Sequence, residues 1–299
     1  MTQMQTKQLT QMKQADEIKH IQGRKARNRL FRNIFLASTL VGVIALIVLL
    51  ADIFVKGIGW LDLDFLTGNS SRIPEKNGIW PALVGTLWLM MITAPLTFII
   101  GVATAIYLEE YARDNWFSRF VRMNISNLAG VPSIVYGLLG LTVFVRIFYF
   151  GNSILSGALT LTLLVLPILI VAAQEAIRAV PATQRQASYA LGANKWQTVV
   201  KVVLPSALPG ILTGAILSLS RAVGETAPII AIGAVAFTRA IPDGLRDSFT
   251  ALPVQIYSWA GMSNRDFEHV ASAGIIVLLV VLLSMNAVAI FLRNKYQKR

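Results

Sequence analysis

The sequence predicts an all-α integral membrane protein that crosses the bilayer six times, and three observations predict it. Of 299 residues, 55% are hydrophobic and only 14% are charged, against about 25% charged in an average soluble domain. Six charge-free runs are of the order of the roughly 20 apolar residues that a transmembrane helix requires. Lys and Arg also segregate to one side once those runs are threaded through a membrane.

The runs cover residues 33–51, 77–108, 123–145, 147–174, 202–220 and 269–292, the fifth continuing to 238 with only Arg221 and Glu225 interrupting it. The second is long, and Pro95 near its middle marks either a kink or a division into two short helices. Charge decides between these. With one helix per run and the N-terminus inside, segments 1–32, 109–122, 175–201 and 293–299 hold 8, 3, 4 and 4 Lys or Arg. The external loops 56–76, around 146 and 239–268 hold 3, 1 and 3, which leaves Arg221 alone in the membrane. Splitting the second run would mix the two sides. Six spans with both termini cytoplasmic follow, and the net charge of +12 is largely an orientation signal rather than the footprint of a nucleic-acid binder.

The domain organisation follows from the same pattern. Residues 1–32 form a basic cytoplasmic arm in which Arg24, Lys25, Arg27, Arg29 and Arg32 crowd ahead of the first span. Such a cluster reads as a topology anchor against anionic headgroups, or as a partner-binding arm. Residues 33–292 form the six-span transmembrane domain, including the loop 181–205, and 293–299 a basic cytoplasmic tail. The first apolar run begins too late, and without a small-residue cleavage site, for a cleavable signal peptide. No repeat or low-complexity tract stands out. Glu109, Glu110 and Asp114 follow the second span and are expected at a solvated cytoplasmic rim.

Several chemistries are missing. No G-x-x-x-x-G-K-[ST] phosphate loop occurs. The two histidines, His20 and His269, fall on opposite sides of the membrane in this topology, which disfavours a histidine metal site or a catalytic triad. There is no cysteine, and no Ser–His, Ser–Lys or paired-Asp set lies within the spans. The chain is expected to be a transport subunit with no catalytic residue, metal or cofactor of its own.

Between the fourth and fifth spans, segment 181–205 reads as a helix–turn–helix at the cytoplasmic face. Pro181 opens its first helix, Gly192 closes it through a left-handed cap, and Pro205 ends or bends the second. Ala187, Ala190 and Leu191 share helical spacing and form a face that another protein can approach closely. In the fifth span, Ser220-Arg221-Ala-Val-Gly224-Glu225-Thr226-Ala-Pro228 places an arginine and a glutamate four residues apart, on one helix face and able to pair. A charge at mid-membrane costs about 3 kcal/mol on insertion scales, so the pair must face protein or a wet path. Gly224 and Pro228 suit a helix that bends, and a guanidinium fork suits a tetrahedral oxyanion. The alternative is a buried ion pair that only fixes packing. In the third span, Gly130, Pro132, Gly137 and Gly140 serve either close helix contacts or a moving gate.

The loop resembles the EAA loop of binding-protein-dependent ABC importer permeases. Gln186, Ala187 and Ser188 stand for Glu-Ala-Ala, and Gly192, Val202, Leu204 and Pro205 follow at the family's spacing. Gln, Ser and Val replace Glu, Ala and Ile. Tyr107-Leu-Glu-Glu-Tyr-Ala112, Gly130-Val-Pro-Ser-Ile-Val-Tyr-Gly137 and Arg221-Ala-Val-Gly-Glu-Thr-Ala-Pro228 resemble the phosphate importer permeases, and the Glu-Thr-Ala-Pro ending points to the PstA type over PstC. The resemblance covers about residues 33–292.

It implies a type I ABC importer permease of MetI-like fold, resident in the inner or cell membrane of a prokaryote. It implies partners: a PstC-like second permease, two PstB-like ATPase subunits that hold ATP and magnesium, and a periplasmic or extracellular PstS-like phosphate-binding protein, with no nucleic acid. Gln186, Ala187, Ser188, Gly192, Leu204 and Pro205 would couple to the ATPase, and Arg221, Glu225 and Thr226 would lie on the substrate path. A sulfate or molybdate importer permease and a self-sufficient secondary transporter using Glu225 as a proton relay are the alternatives.

Overall fold

The computed structural model describes residues 2–234 and 241–297. Arg239 of the expected external loop lies outside the described residues. So do Lys298 and Arg299 of the tail and the side chains of the basic arm as far as Gly23, with that of Arg27. Among the described residues the chain is helical throughout, without strands. It divides into residues 1–55 and 56–299.

The first unit is one continuous helix, α1 (Thr2–Gly57). Its apolar part begins near Asn28, where the arm ends without a break. In the second unit α2 (Trp80–Tyr111) runs unbroken through Pro95 and finishes in a widened turn at Tyr107–Tyr111. It is one span, as the charge distribution requires.

The third run departs from expectation. It is two helices, α3 (Trp116–Leu128) and α4 (Ser133–Ile147), bent by 103°. Asn115 caps α3 by accepting a hydrogen bond from the Ser118 amide at 2.8 Å. Pro132 then disfavours helical geometry at Val131, and α4 starts directly after it. The fourth run starts later than its apolar residues suggest, because Gly151 (φ +69°) turns the chain and Ser153 caps α5 (Ile154–Arg178).

The coupling segment forms α6 (Ala182–Ala190) and the start of α7 (Lys195–Gly224). Pro205 does not end α7. The preceding turn, Val199–Val203, is widened where Pro205 has no amide hydrogen to offer the carbonyl of Lys201, and the helix carries on. The fifth run also stops short of 238: α7 ends at Gly224, and a separate turn of helix, α8 (Ala227–Ala231), follows. Helix α9 (Leu252–Ala260) and the long α10 (Asp266–Gln297) complete the chain. Five helices are therefore long and apolar enough to cross a membrane, and the bent α3–α4 pair, counted as one broken span, brings the number to six.

Helix α5 is the axis of the second unit, flanked chiefly by α2 and α7. The approach of α7 depends on small residues: a Cβ on Gly210 would lie 2.8 Å from the Ala176 methyl, and one on Gly214 2.5 Å from that of Ala172. Gly210-x-x-x-Gly214 facing Ala172-x-x-x-Ala176 lets two backbones meet where dispersion, not water exclusion, drives association. Several hydroxyls buried in this bundle find backbone carbonyls, although that of Thr97 has no partner among the described residues. Thr160 and Thr162 donate to the carbonyls of Ser156 and Ala158, each at 2.7 Å, and Thr93 donates across helices to Ala158 at 3.2 Å. A second apolar cluster joins Phe65, Ile79, Leu252, Trp259 and Phe267 around α9 and the start of α10.

Candidate functional site

The expected coupling residues lie on α6, its turn and the first third of α7, whereas Arg221 and Glu225 stand at the far end of α7, about 25 Å beyond Leu204 at 1.5 Å per residue. At the far end, Arg221 Nε donates to Glu225 Oε1 at 2.9 Å. The pair forms, but not on a continuous helix face. Glu225 is the residue at which α7 stops: its backbone is extended (φ −73°, ψ 122°), and its amide reaches only the carbonyl of Ala222. Thr226 precedes α8 and its hydroxyl faces the carbonyl of Gly224 at 3.5 Å. The ion pair thus spans a break in the fifth crossing. The Arg221 side chain is 49% exposed and that of Glu225 only 13%, so the carboxylate is held and the guanidinium is presented.

The break is braced from two sides. Helix α8 lies so close to α4 that a Cβ on Gly137 would stand 2.6 Å from Pro228 Cα. On the other side the Ser220 hydroxyl donates to Asn286 Oδ1 of α10 at 2.6 Å. An apolar cavity of about 350 Å³ lies between α2, α7 and α10, lined by residues such as Pro95, Leu212, Val223 and Met285. Arg221 and Glu225 do not line it, so it is not where the charged pair would meet an anion.

At the near end, Gly192 has φ +82°, the left-handed cap expected between the two helices. Ser188 is buried, and its hydroxyl lies 2.9 Å from that of Thr198. Asn194 and Gln197 form a reciprocal capping box at the start of α7. The Ser206 hydroxyl donates to Gln184 Oε1 at 3.2 Å, which ties α6 to α7 a second time. Gln186 and Ala187 are exposed, Pro205 is exposed, and Leu204 packs partly buried on the cluster that includes Val203 and Ala207. Ala187, Ser188, Gly192, Lys201 and Val202 share a groove of about 560 Å³, whereas Leu204 and Pro205 lie beyond it. Leu191, at 90% exposure, lines that groove, and Trp196, in the first turn of α7, is 66% exposed.

Glu109 and Glu110 correct the expected solvated rim. Their side chains are only 10% and 8% exposed. Glu109 accepts from both Nε and Nη2 of Arg178 at 3.0 and 2.9 Å, from Gln174 at 3.0 Å, and from Arg122. Glu110 accepts from Nε and Nη2 of Arg185 at 3.1 and 2.9 Å. Asp114 alone fits the expectation, 83% exposed beside Arg119. The signal available in the sequence was two acids at a span end facing three arginines, Arg122, Arg178 and Arg185, on the same predicted side.

Residues 97–299 match the family described as "Binding-protein-dependent transport system inner membrane component". The chain is similar to the "Probable ABC transporter permease protein YqgI" of Bacillus subtilis, 33% identical over 92% of this chain and 98% of the relative. It is similar to the "Phosphate transport system permease protein PstA 1" of Mycobacterium tuberculosis, 35% identical over 90% of each. The PstA of Haemophilus influenzae is 31% identical over 92% of this chain and 96% of that one. Its fold resembles that of an inward-facing MetNI methionine ABC transporter, with TM-score 0.56 and 20% identity over 73% of this chain and 94% of that chain. The loop spacing, the interrupted fifth crossing and the match over two thirds of the sequence converge: this chain belongs to the inner-membrane components of binding-protein-dependent transport systems.

Proposed function

We propose that the chain is a membrane-spanning subunit of an ATP-driven importer for inorganic phosphate, forming half of the translocation pore. The observation that carries this is Arg221, half exposed and held by Glu225 at the break between α7 and α8. A fork of donors fits a tetrahedral oxyanion, and a partly buried carboxylate keeps the guanidinium oriented until the anion competes for it. The PstA relatives supply phosphate as the solute. Both termini are cytoplasmic in this reading. A PstC-like permease completes the pore, a PstS-like protein delivers the anion, and ATP and magnesium act on two PstB-like subunits that dock on the α6–α7 groove at its exposed Leu191 and on the exposed Trp196 of α7. Closure of those subunits pushes α6, and rocking of the spans opens the Arg221–Glu225 region to each side in turn.

The test is phosphate uptake by Arg221→Gln with assembly verified by co-purification of the partner subunits. Loss of a charge-assisted contact of about 1.5–3 kcal/mol lowers uptake roughly ten- to hundredfold. Wild-type uptake in an assembled Arg221→Gln complex would refute the role. Competition by sulfate or molybdate separates the oxyanion importers from one another. A self-sufficient carrier is not favoured: it would follow the proton gradient without any ATPase, and family membership argues against it.

A further inference from the structure

We propose that Glu110 and Arg185 form an ionic latch through which displacement of α6 is passed to α2 and α5. The proposal rests on the reading that a partner ATPase pushes this loop.

The two acids at the end of α2 divide their labour. All partners of Glu109 belong to the helical body: Arg122 on α3, and Gln174 and Arg178 on α5. Arg122 also donates to the carbonyl of Leu108, so the widened last turn of α2 is fixed to α3 as well as to α5. Glu110 instead reaches α6. Its one oxygen, Oε1, receives two donors of Arg185. The same guanidinium donates to the carbonyls of Val180 at 2.6 Å and Ile177 at 2.9 Å, which close the C-terminal end of α5.

A single side chain on α6 therefore binds the ends of both α2 and α5. It is 21% exposed and its carboxylate partner 8%, so water competes poorly for either. The links between α6 and α7, Ser188 with Thr198 and Gln184 with Ser206, run between neutral groups and hold α6 to the base of α7 alone. These contacts define two routes for a push on α6. One runs along α7 towards Arg221. The other runs through Arg185 into α2 and α5. With the second cut, a push on α6 reaches α5 and α2 only through the packing of α7 on α5, and less of each stroke moves those helices. Arg185 and Glu110 are thus positioning residues: they touch no solute, and their removal uncouples hydrolysis from transport instead of abolishing hydrolysis.

The experiment reconstitutes the complete complex with its binding protein and reads phosphate-stimulated ATP hydrolysis and phosphate moved per ATP on the same vesicles. Glu110→Gln is expected to hydrolyse within about twofold of wild type while phosphate per ATP falls about tenfold, inside the range of inter-site coupling. If Glu110→Gln fails to assemble, Glu110→Asp, which keeps the charge and withdraws it by one methylene, is expected to give a smaller fall in the same ratio. The chain has no cysteine, so in Glu110→Cys with Arg185→Cys a bifunctional thiol linker within this chain joins only those two positions, and a linked product of unchanged subunit mass identifies it. Linking is expected to restore the ratio, which a merely structural role would not do. An unchanged ratio in Glu110→Gln, or in Glu110→Asp where that is the assembled form, overturns the latch, as does a linked pair that stays uncoupled. A wild-type complex whose hydrolysis ignores phosphate overturns the functional reading and the latch with it, so the two failures are distinguishable.

Discussion

Replacing Gly137 by alanine probes how tightly the break at Glu225 is braced. A methyl there would meet Pro228 Cα at 2.6 Å, the Ala231 methyl at 2.7 Å and the Pro228 carbonyl oxygen at 3.0 Å. Carbon atoms rest about 3.5–4.0 Å apart, so α4 and α8 must separate by about 1 Å. Two of the three obstacles are backbone atoms, which have no rotamer to yield. Overpacking of this kind costs about 1–3 kcal/mol. The gain in helix propensity from Gly to Ala, about 1 kcal/mol, offsets part of this, and a net loss of up to roughly 2 kcal/mol remains. Because α8 starts two residues after Glu225, the shift also moves the charged pair.

Thermal melting of the purified complex, with uptake measured in parallel, is the assay. Gly42→Ala in α1 is the control, since nothing lies within 4 Å of its added methyl. The expected result is a lower melting temperature and reduced uptake for Gly137→Ala, and for Gly42→Ala an equal or slightly raised melting temperature with uptake unchanged. Equal melting and equal uptake in the two variants would refute the argument that this contact sets the position of the break.

Two further predictions concern the turn between α6 and α7. Gly192→Ala meets no atom within 4 Å but keeps a φ of +82°, so it costs about 1–2 kcal/mol in backbone energy alone. Gly192→Asn should recover part of that loss, and cross-linking yield from Ala187 to an ATPase partner follows the order Gly, Asn, Ala. Asn194→Ala removes the acceptor for the Gln197 amide at 2.8 Å and costs about 1 kcal/mol. Faster hydrogen exchange at residues 195–198, with α10 unchanged, is the signature; unchanged exchange would mean that the capping box contributes nothing.

The number of crossings, the single helix through Pro95, the pairing of Arg221 with Glu225 and the left-handed turn at Gly192 were all legible in the chain. Each depends on local chemistry: the length of an apolar run, the cost of membrane charge, a spacing of four, the absence of a Cβ. The GxxxG pattern at Gly210 and Gly214 was equally visible there, but its partners Ala172 and Ala176 were not. Helix boundaries in the third and fifth runs were less legible. Where all faces of a helix are apolar, no periodicity marks the residue at which it stops. Pro132 and Pro205 also look alike as breakers, yet one precedes a sharp bend and the other is absorbed by a widened turn.

By itself, the sequence determined that this is a polytopic helical protein with one charged pair in its fifth apolar run and a small-residue loop between the fourth and fifth. Only the tertiary structure decided that Glu109 and Glu110 are covered and bound by arginines, that Glu225 sits at a helix end, and that Arg185 joins α6 to two other helices. Those facts depend on residues 13 to 75 positions apart in the chain meeting in space. Burial of a carboxylate is a property of what packs over it, and no local pattern of residues encodes that.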